Sequence, residues 1–261
     1  MRKIIFLMAC IICLSFVMTG QISAVSDKPL GFYCVRNKEH KQPTLDTELS
    51  IIEKYDAYYV DKNHGNDSSD KVVYLTFDAG YENGNIEKIL DTMKAEGVTG
   101  AFFILENLII KNPELVKRMA DEGHTVGNHT SKHKDMTQVD NIENFAAELN
   151  ALNVLYEETT GKKMSCYYRP PEGKFDERSL LYAQELGYKT IFWSFAYADW
   201  DNNKQPSADA AMKKITDNLH NGAVILLHPT SATNAKILPQ LIKNLKAEGY
   251  RFGTLSELTE Q

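Results

Sequence analysis

From Lys71 onward, short apolar runs of strand length alternate with longer stretches whose apolar residues recur at helical spacing. The strand-like runs are Val72 to Phe77, Ala101 to Leu105, Thr125 to Gly127, Cys166 to Tyr168, Thr190 to Trp193 and Ala223 to Leu227. They are nearly continuous in apolar residues, the pattern of strands buried on both faces, as in a parallel sheet covered by helices. Helix ends are signalled at Ala95-Glu96-Gly97, Asp121-Glu122-Gly123, Glu185-Leu186-Gly187 and Ala247-Glu248-Gly249, where glycine supplies the left-handed cap past the last turn. Pro113 opens one helix, ahead of Leu115, Val116 and Met119, and the stripe Ile142, Phe145, Leu149, Leu152, Tyr156 forms another. Pro239 predicts a start or kink between Asn234 and Ala247. Six or seven strand-helix units in about 190 residues fall short of the roughly 250 of an eight-unit barrel. The expected fold is α/β, a distorted, incomplete (β/α) barrel.

The N-terminal part reads differently. Residues 1–24 run from Arg2 and Lys3 through the uncharged apolar stretch Ile4 to Met18 to the small residues Ser23 and Ala24, the layout of an export signal. Cleavage after Ala24 is expected, with residues 4–18 as the alternative membrane anchor. Residues 25–70 have weak periodicity, Pro29, Pro43 and a polar run from Asn63 to Asp70, and read as an N-terminal extension leading to a linker. The domain proper spans residues 71–261. Removing the signal takes Cys10 and Cys13 with it and leaves Cys34 and Cys166, which either pair or stay as thiols.

Composition changes this picture in one respect. The net charge is −6, and −8 without residues 1–24, so nucleic acid as a partner is excluded on electrostatic grounds.

Polar residues follow the predicted strands: Asp78, His129 and His133, Arg169, Asp199 and His228. In parallel barrels the loops at the C-terminal strand ends form the active face. His129 and His133 lie four residues apart, which on one turn of helix aims both imidazoles at a zinc-like ion. Each residue has a bland reading: surface histidines, a rim histidine at His228, a capped loop at Asp199-Trp200, and a turn braced by Arg169 before Pro170-Pro171. Together they form an inventory for metal-assisted hydrolysis, with candidate metal ligands, a carboxylate base and an imidazole acid. His40, His64, His124 and His220 fall outside the set, and His220 is assigned to a helix end where the dipole favours a cation.

These segments resemble the five ordered motifs of the NodB-homology polysaccharide deacetylases, carbohydrate esterase family four. The resemblance lies in Thr76-Phe77-Asp78-Ala79-Gly80, His129-Thr130-Ser131-Lys132-His133, Arg169-Pro170-Pro171-Glu172-Gly173, Asp199-Trp200 and Leu226-Leu227-His228. Glu39 to Pro43, Tyr55 to Tyr59 and Tyr81-Glu82-Asn83-Gly84 further resemble the delta-lactam-biosynthetic de-N-acetylases of endospore formers. The resemblance implies an exported hydrolase that removes the acetyl group from N-acetylmuramic acid in peptide-stripped peptidoglycan, on the route to the muramic delta-lactam of spore cortex. Residue by residue it implies Asp78 as general base, Arg169 as the group positioning it, His228 as general acid and Asp199 as its partner. It also implies His129 and His133 as ligands of a divalent metal such as zinc, and Trp200, Pro171 and Tyr81 as substrate contacts. Two positions depart from the family pattern: Ala79 stands where a metal-binding aspartate is usual, so that Asp78, Glu82, Asn83 or water would have to complete the shell, and Ala196 replaces another aspartate. The partner is then peptidoglycan glycan strands, handled outside the cytoplasm by a monomer. The alternatives are an N-acetylglucosamine deacetylase of peptidoglycan or chitin, and a degenerate domain that only binds glycan.

Overall fold

The computed structural model describes residues 25–260, so the expected signal and its alternative anchor lie outside the described residues. Strands β1 (Leu30–Gly31), β2 (Ala57–Tyr58) and β3 (Lys71–Ala79) lead to helix α1 (Ile86–Glu96). Then follow β4 (Ala101–Ile104), α2 (Glu106–Lys111), α3 (Pro113–Asp121), β5 (Thr125–Asn128), α4 (Ile142–Thr160), β6 (Tyr167–Tyr168), β7 (Lys174–Phe175) and α5 (Glu177–Glu185). The chain ends with β8 (Lys189–Ile191), α6 (Ala208–Thr216), β9 (Ala223–Leu227), α7 (Ala232–Ala247), β10 (Tyr250–Phe252) and α8 (Leu255–Leu258). Among the described residues no helix is long and apolar enough to cross a membrane.

The strands pair in parallel in the order β10-β3-β4-β5-β6-β8-β2, and β9 pairs with β3 over Val73 to Phe77. Between β8 and β9 the described residues join the ring through the isolated bridges Phe195–Ile225 and Val60–Ala223 and not through a paired strand, which makes the barrel incomplete as expected. Strand periodicity sorts β3 into two faces. Val73, Leu75, Phe77 and Ala79 pack outward into the main core with the helices. Val72 and Tyr74 pack in the inner cluster, and Asp78 belongs to the same alternating set. Gly97, Gly123, Gly187 and Gly249 all take positive φ at helix ends. Pro239 neither starts nor ends a helix: α7 runs through it, because Ile237, Leu238, Leu241 and Ile242 bury around the missing hydrogen bond.

Residues 25–60 fill the weak side of the ring. β1 pairs antiparallel with β7, β2 pairs with β8, and Phe32, Leu49, Ile52, Tyr59 and Val60 form one apolar cluster with Phe175, Leu180 and Phe192. The Phe32 ring stacks on Phe192 at 4.2 Å. Asn221 then fastens the polar run beyond them, donating to the carbonyls of Gly65 and Asp70 at 3.3 and 2.8 Å. Gly222 beside it has φ +74°, and a side chain there would meet the Asp61 carbonyl at 2.5 Å. His220 is not a dipole-bound cation: it is buried against Ser194 Oγ at 2.8 Å, and burial pushes its pKa down to about 4. Cys34 and Cys166 are both free thiols.

Candidate active site

The C-terminal ends of β3, β5, β6 and β9 bring Asp78, His129, Arg169 and His228 to one mouth of the barrel. Arg169, just past β6, is fully buried. Its Nη1 donates to Asp78 Oδ1 at 2.9 Å, Nη2 to Thr76 Oγ1 and the Phe192 carbonyl at 3.0 and 3.1 Å, and Nε to the Ile191 carbonyl at 2.9 Å. The guanidinium also lies 4.2 Å from the centre of the Phe103 ring. A cation held this rigidly decides the state of its neighbour. Burial alone would raise the pKa of Asp78, but the charge of Arg169 foremost, with His228 behind it, outweighs burial and holds the carboxyl below its ordinary value. Asp78 is therefore an ionised acceptor near neutral pH.

His228 follows β9. Its Nδ1 donates to Asp199 Oδ1 at 2.6 Å and its backbone N–H to Asp199 Oδ2 at 2.8 Å. Burial would depress the imidazole, yet the bond to Asp199 and that carboxylate's charge raise its pKa above the usual value. One carboxylate is thus kept ready to accept a proton and one imidazole ready to give one, a division of roles set by environment.

His129 and His133 converge, but not on a helix. Thr130 and His133 both take positive φ, and the segment is a loop. Asn128 Oδ1 accepts from Thr130 N at 2.8 Å, Thr130 Oγ1 from Lys134 N at 3.0 Å, and Glu148 Oε1 from the N–H groups of Ser131 and Lys132 at 3.1 Å each. Local side-chain bonds to the backbone win here over helix formation. The rings meet edge to face, with centroids 5.1 Å apart. His129 Nδ1 bonds the Arg169 carbonyl at 2.8 Å, which requires the proton on that nitrogen and leaves Nε2 as a lone pair 3.6 Å from Asp78 Oδ2. Burial lowers its pKa to about 4, so the imidazole is neutral near pH 7.

The resemblance implies a divalent metal, and the donor set here does not fit a catalytic zinc site with three protein ligands. Ala79 is buried in the outer core. Glu82 caps α1 by accepting from Ile86 N at 2.9 Å, and Asn83 donates to the Thr230 carbonyl at 2.8 Å. Asp78 is engaged by Arg169, and no group of three or more His, Cys, Asp or Glu suited to a metal ion exists among the described residues.

A cleft of about 670 Å³ opens over Asp78, His129, His133 and His228. Tyr81 and Trp200, both exposed, stand at its walls, and Asn202 Nδ2 donates to the Tyr81 hydroxyl at 2.7 Å. The Trp200 ring lies 6.0 Å from that of His228. Pro171 is not a wall residue: it is buried, and its neighbours Glu172 and Gly173 line the cleft instead. Glu172 takes φ +57° with its carboxylate 2.8 Å from Lys174 Nζ. Gly80, Leu105, Trp193, Ala196, Tyr197, Leu226 and Thr230 complete the lining. They adjoin the motifs in sequence, but apolar residues at strand ends carry no signal that separates wall from core.

Residues 65–191 match the family model described as polysaccharide deacetylase. The peptidoglycan-N-acetylmuramic acid deacetylase PdaA of Bacillus subtilis is 40% identical over 255 residues, covering 96% of this chain and 95% of that protein. The structure of PdaA, described as a family 4 carbohydrate esterase, superposes with a TM-score of 0.84 over 90% of this chain and 98% of that one. A pseudoenzyme of the same esterase family from Bacillus anthracis is 28% identical with a TM-score of 0.66, over 73% of this chain and 66% of that one. With five motifs meeting at one cleft on this fold, the chain belongs to the polysaccharide deacetylase family.

Proposed function

We propose that this protein is an exported deacetylase that hydrolyses the acetamide of N-acetylmuramic acid in peptidoglycan whose stem peptides have been removed. In this reading residues 1–24 direct export, residues 25–70 brace the barrel and residues 71–261 carry the site. The observation that supports it best is the pairing of a base-orienting cation with Asp78 and of a carboxylate with His228 at one cleft, in a chain similar to PdaA along nearly all of its length. Asp78 takes a proton from water as the water oxygen adds to the acetamide carbonyl. His228 gives its Nε2 proton to the amide nitrogen as the carbon–nitrogen bond breaks, so acetate and the free sugar amine leave. Arg169 keeps Asp78 ionised, and Asp199 keeps His228 protonated and turned toward the cleft. Tyr81 and Trp200 offer aromatic faces to the sugar rings.

The test is acetate release with mass analysis of the products, using peptide-stripped peptidoglycan, intact peptidoglycan and chitin oligomers. Acetate from the stripped glycan alone supports the reading, and turnover of chitin oligomers assigns N-acetylglucosamine instead. A second reading, a domain that binds glycan without hydrolysing it, draws on Ala79 and on the pseudoenzyme relative. Binding without acetate from any glycan supports it, whereas loss of hydrolysis in Asp78→Asn refutes it.

A further inference from the structure

The first turn of α7 contains a buried amide that the sequence pattern does not single out. Asn234 lies six residues beyond His228 and is 1% exposed. Its Nδ2 donates to Asp199 Oδ2 at 2.6 Å and to the His228 backbone carbonyl at 3.1 Å, while its Oδ1 accepts from the Tyr197 hydroxyl. The reverse orientation of the amide would set its carbonyl oxygen against the Asp199 carboxylate, so the assignment is fixed by charge. All three polar positions of the side chain are satisfied. The backbone N–H of Asn234 is bonded to Ser231 Oγ at 3.0 Å, which anchors the residue at the helix start.

We propose that Asn234 is a positioning residue for proton donation, acting through Asp199 on His228. This rests on the reading of His228 as the general acid. The Asp199 carboxylate accepts from His228 twice, from the imidazole at Oδ1 and from the backbone N–H at Oδ2; Asn234 adds a donor from a separate helix that restrains the carboxylate's last torsion, and with it the imidazole. Asn234 holds Oδ2 and the His228 backbone with the same NH₂ group, so acid and partner are tied to one rigid point. Tyr197, which lines the cleft, holds the amide from its other side. A buried, fully bonded amide at a helix start could serve stability alone, and the test must separate the two roles.

The separation comes from the leaving group. An acetamide expels an amine that needs a proton from His228, whereas p-nitrophenyl acetate expels a phenolate that does not. Asn234→Leu and Asn234→Asp, the latter keeping the shape but replacing the donor by an acceptor, are assayed on both, with His228→Asn as the reference. The expected result is a kcat on peptide-stripped, N-acetylated glycan lowered by about 10- to 100-fold, as for other supporting contacts, with KM and ester hydrolysis changed less than about threefold. Equal losses on amide and ester would assign a structural role and overturn the proposal, as would unchanged kcat on both. Failure of Asn234→Leu to fold leaves Asn234→Asp to decide. The low-field proton resonance of the His228–Asp199 bond gives a second readout, expected to shift or broaden in either variant, and its persistence unchanged would also overturn the proposal. Wild-type protein that releases no acetate from any glycan would instead bring down the deacetylase reading and this inference together.

Discussion

Replacing Arg169 by methionine tests the electrostatic core of the site, because the substitution keeps the length of the stem and removes the charge and four hydrogen bonds. Asp78 would be left buried without its cation, together with the acceptors on Thr76, Ile191 and Phe192. Removing one partner of a buried ion pair costs about 3–5 kcal/mol, and for a chain of this size each kcal/mol lowers Tm by about 2–4 °C, so a fall of roughly 6–20 °C is expected. The effect on activity is separable. Without Arg169 the burial of Asp78 is no longer outweighed, and its pKa rises. Asp78 works only when ionised, so activity is lost as pH falls through that pKa, and the acid limb of kcat/KM moves upward with it. On the acid side activity falls below that of the wild type, and it recovers as pH rises. The alkaline limb should not retreat, because the Arg169 charge depresses His228 and its removal favours the protonated acid. Arg169→Lys keeps the charge but not the planar fork, and is expected to hold the acid limb near that of the wild type with a smaller loss of Tm. Thermal melts and pH profiles from pH 4 to 10 measure both. An acid limb in Arg169→Met coincident with that of the wild type would refute the reasoning.

Asp199→Asn removes the charge that raises the pKa of His228, so the imidazole loses its proton at lower pH and the alkaline limb moves toward acid, with kcat down by about 10²–10⁴; a limb that stays in place counts against the pairing. Phe32→Ala deletes the ring stacked on Phe192 and edge-on to Trp193, at a cost of about 3–5 kcal/mol, and melts should show residues 25–60 to be structural by a fall in Tm of roughly 6–20 °C; an unchanged Tm would mean the extension is not part of the barrel. Equilibrium dialysis against zinc should give binding weaker than a three-donor catalytic site provides, abolished by His133→Ala; zinc retained through chelation would show that a donor outside the two histidines completes the set.

The sequence by itself determined the alternation of strand and helix, the glycine-capped helix ends, and the five polar clusters at strand ends, because these follow from local periodicity and turn chemistry acting on neighbouring residues. It also placed Asp78, Arg169 and His228 at the strand ends that meet around the cleft, since parallel strands deliver their C-terminal ends to one face. Contacts between distant segments were decided only by the tertiary structure. Residues 25–60 have weak periodicity because their short strands and aromatic residues are stabilised by β7, β8 and Phe192, and not by one another. His129 and His133 meet through left-handed turns at Thr130 and His133, which Asn128 and Glu148 hold in place, where spacing alone suggested a helix. α7 continues through Pro239 because packing of its apolar face outweighs one missing hydrogen bond. Asn234 reads as an ordinary residue of that helix, and becomes a partner of Asp199 only when the loop after β8 folds back against α7 and brings together groups 35 residues apart.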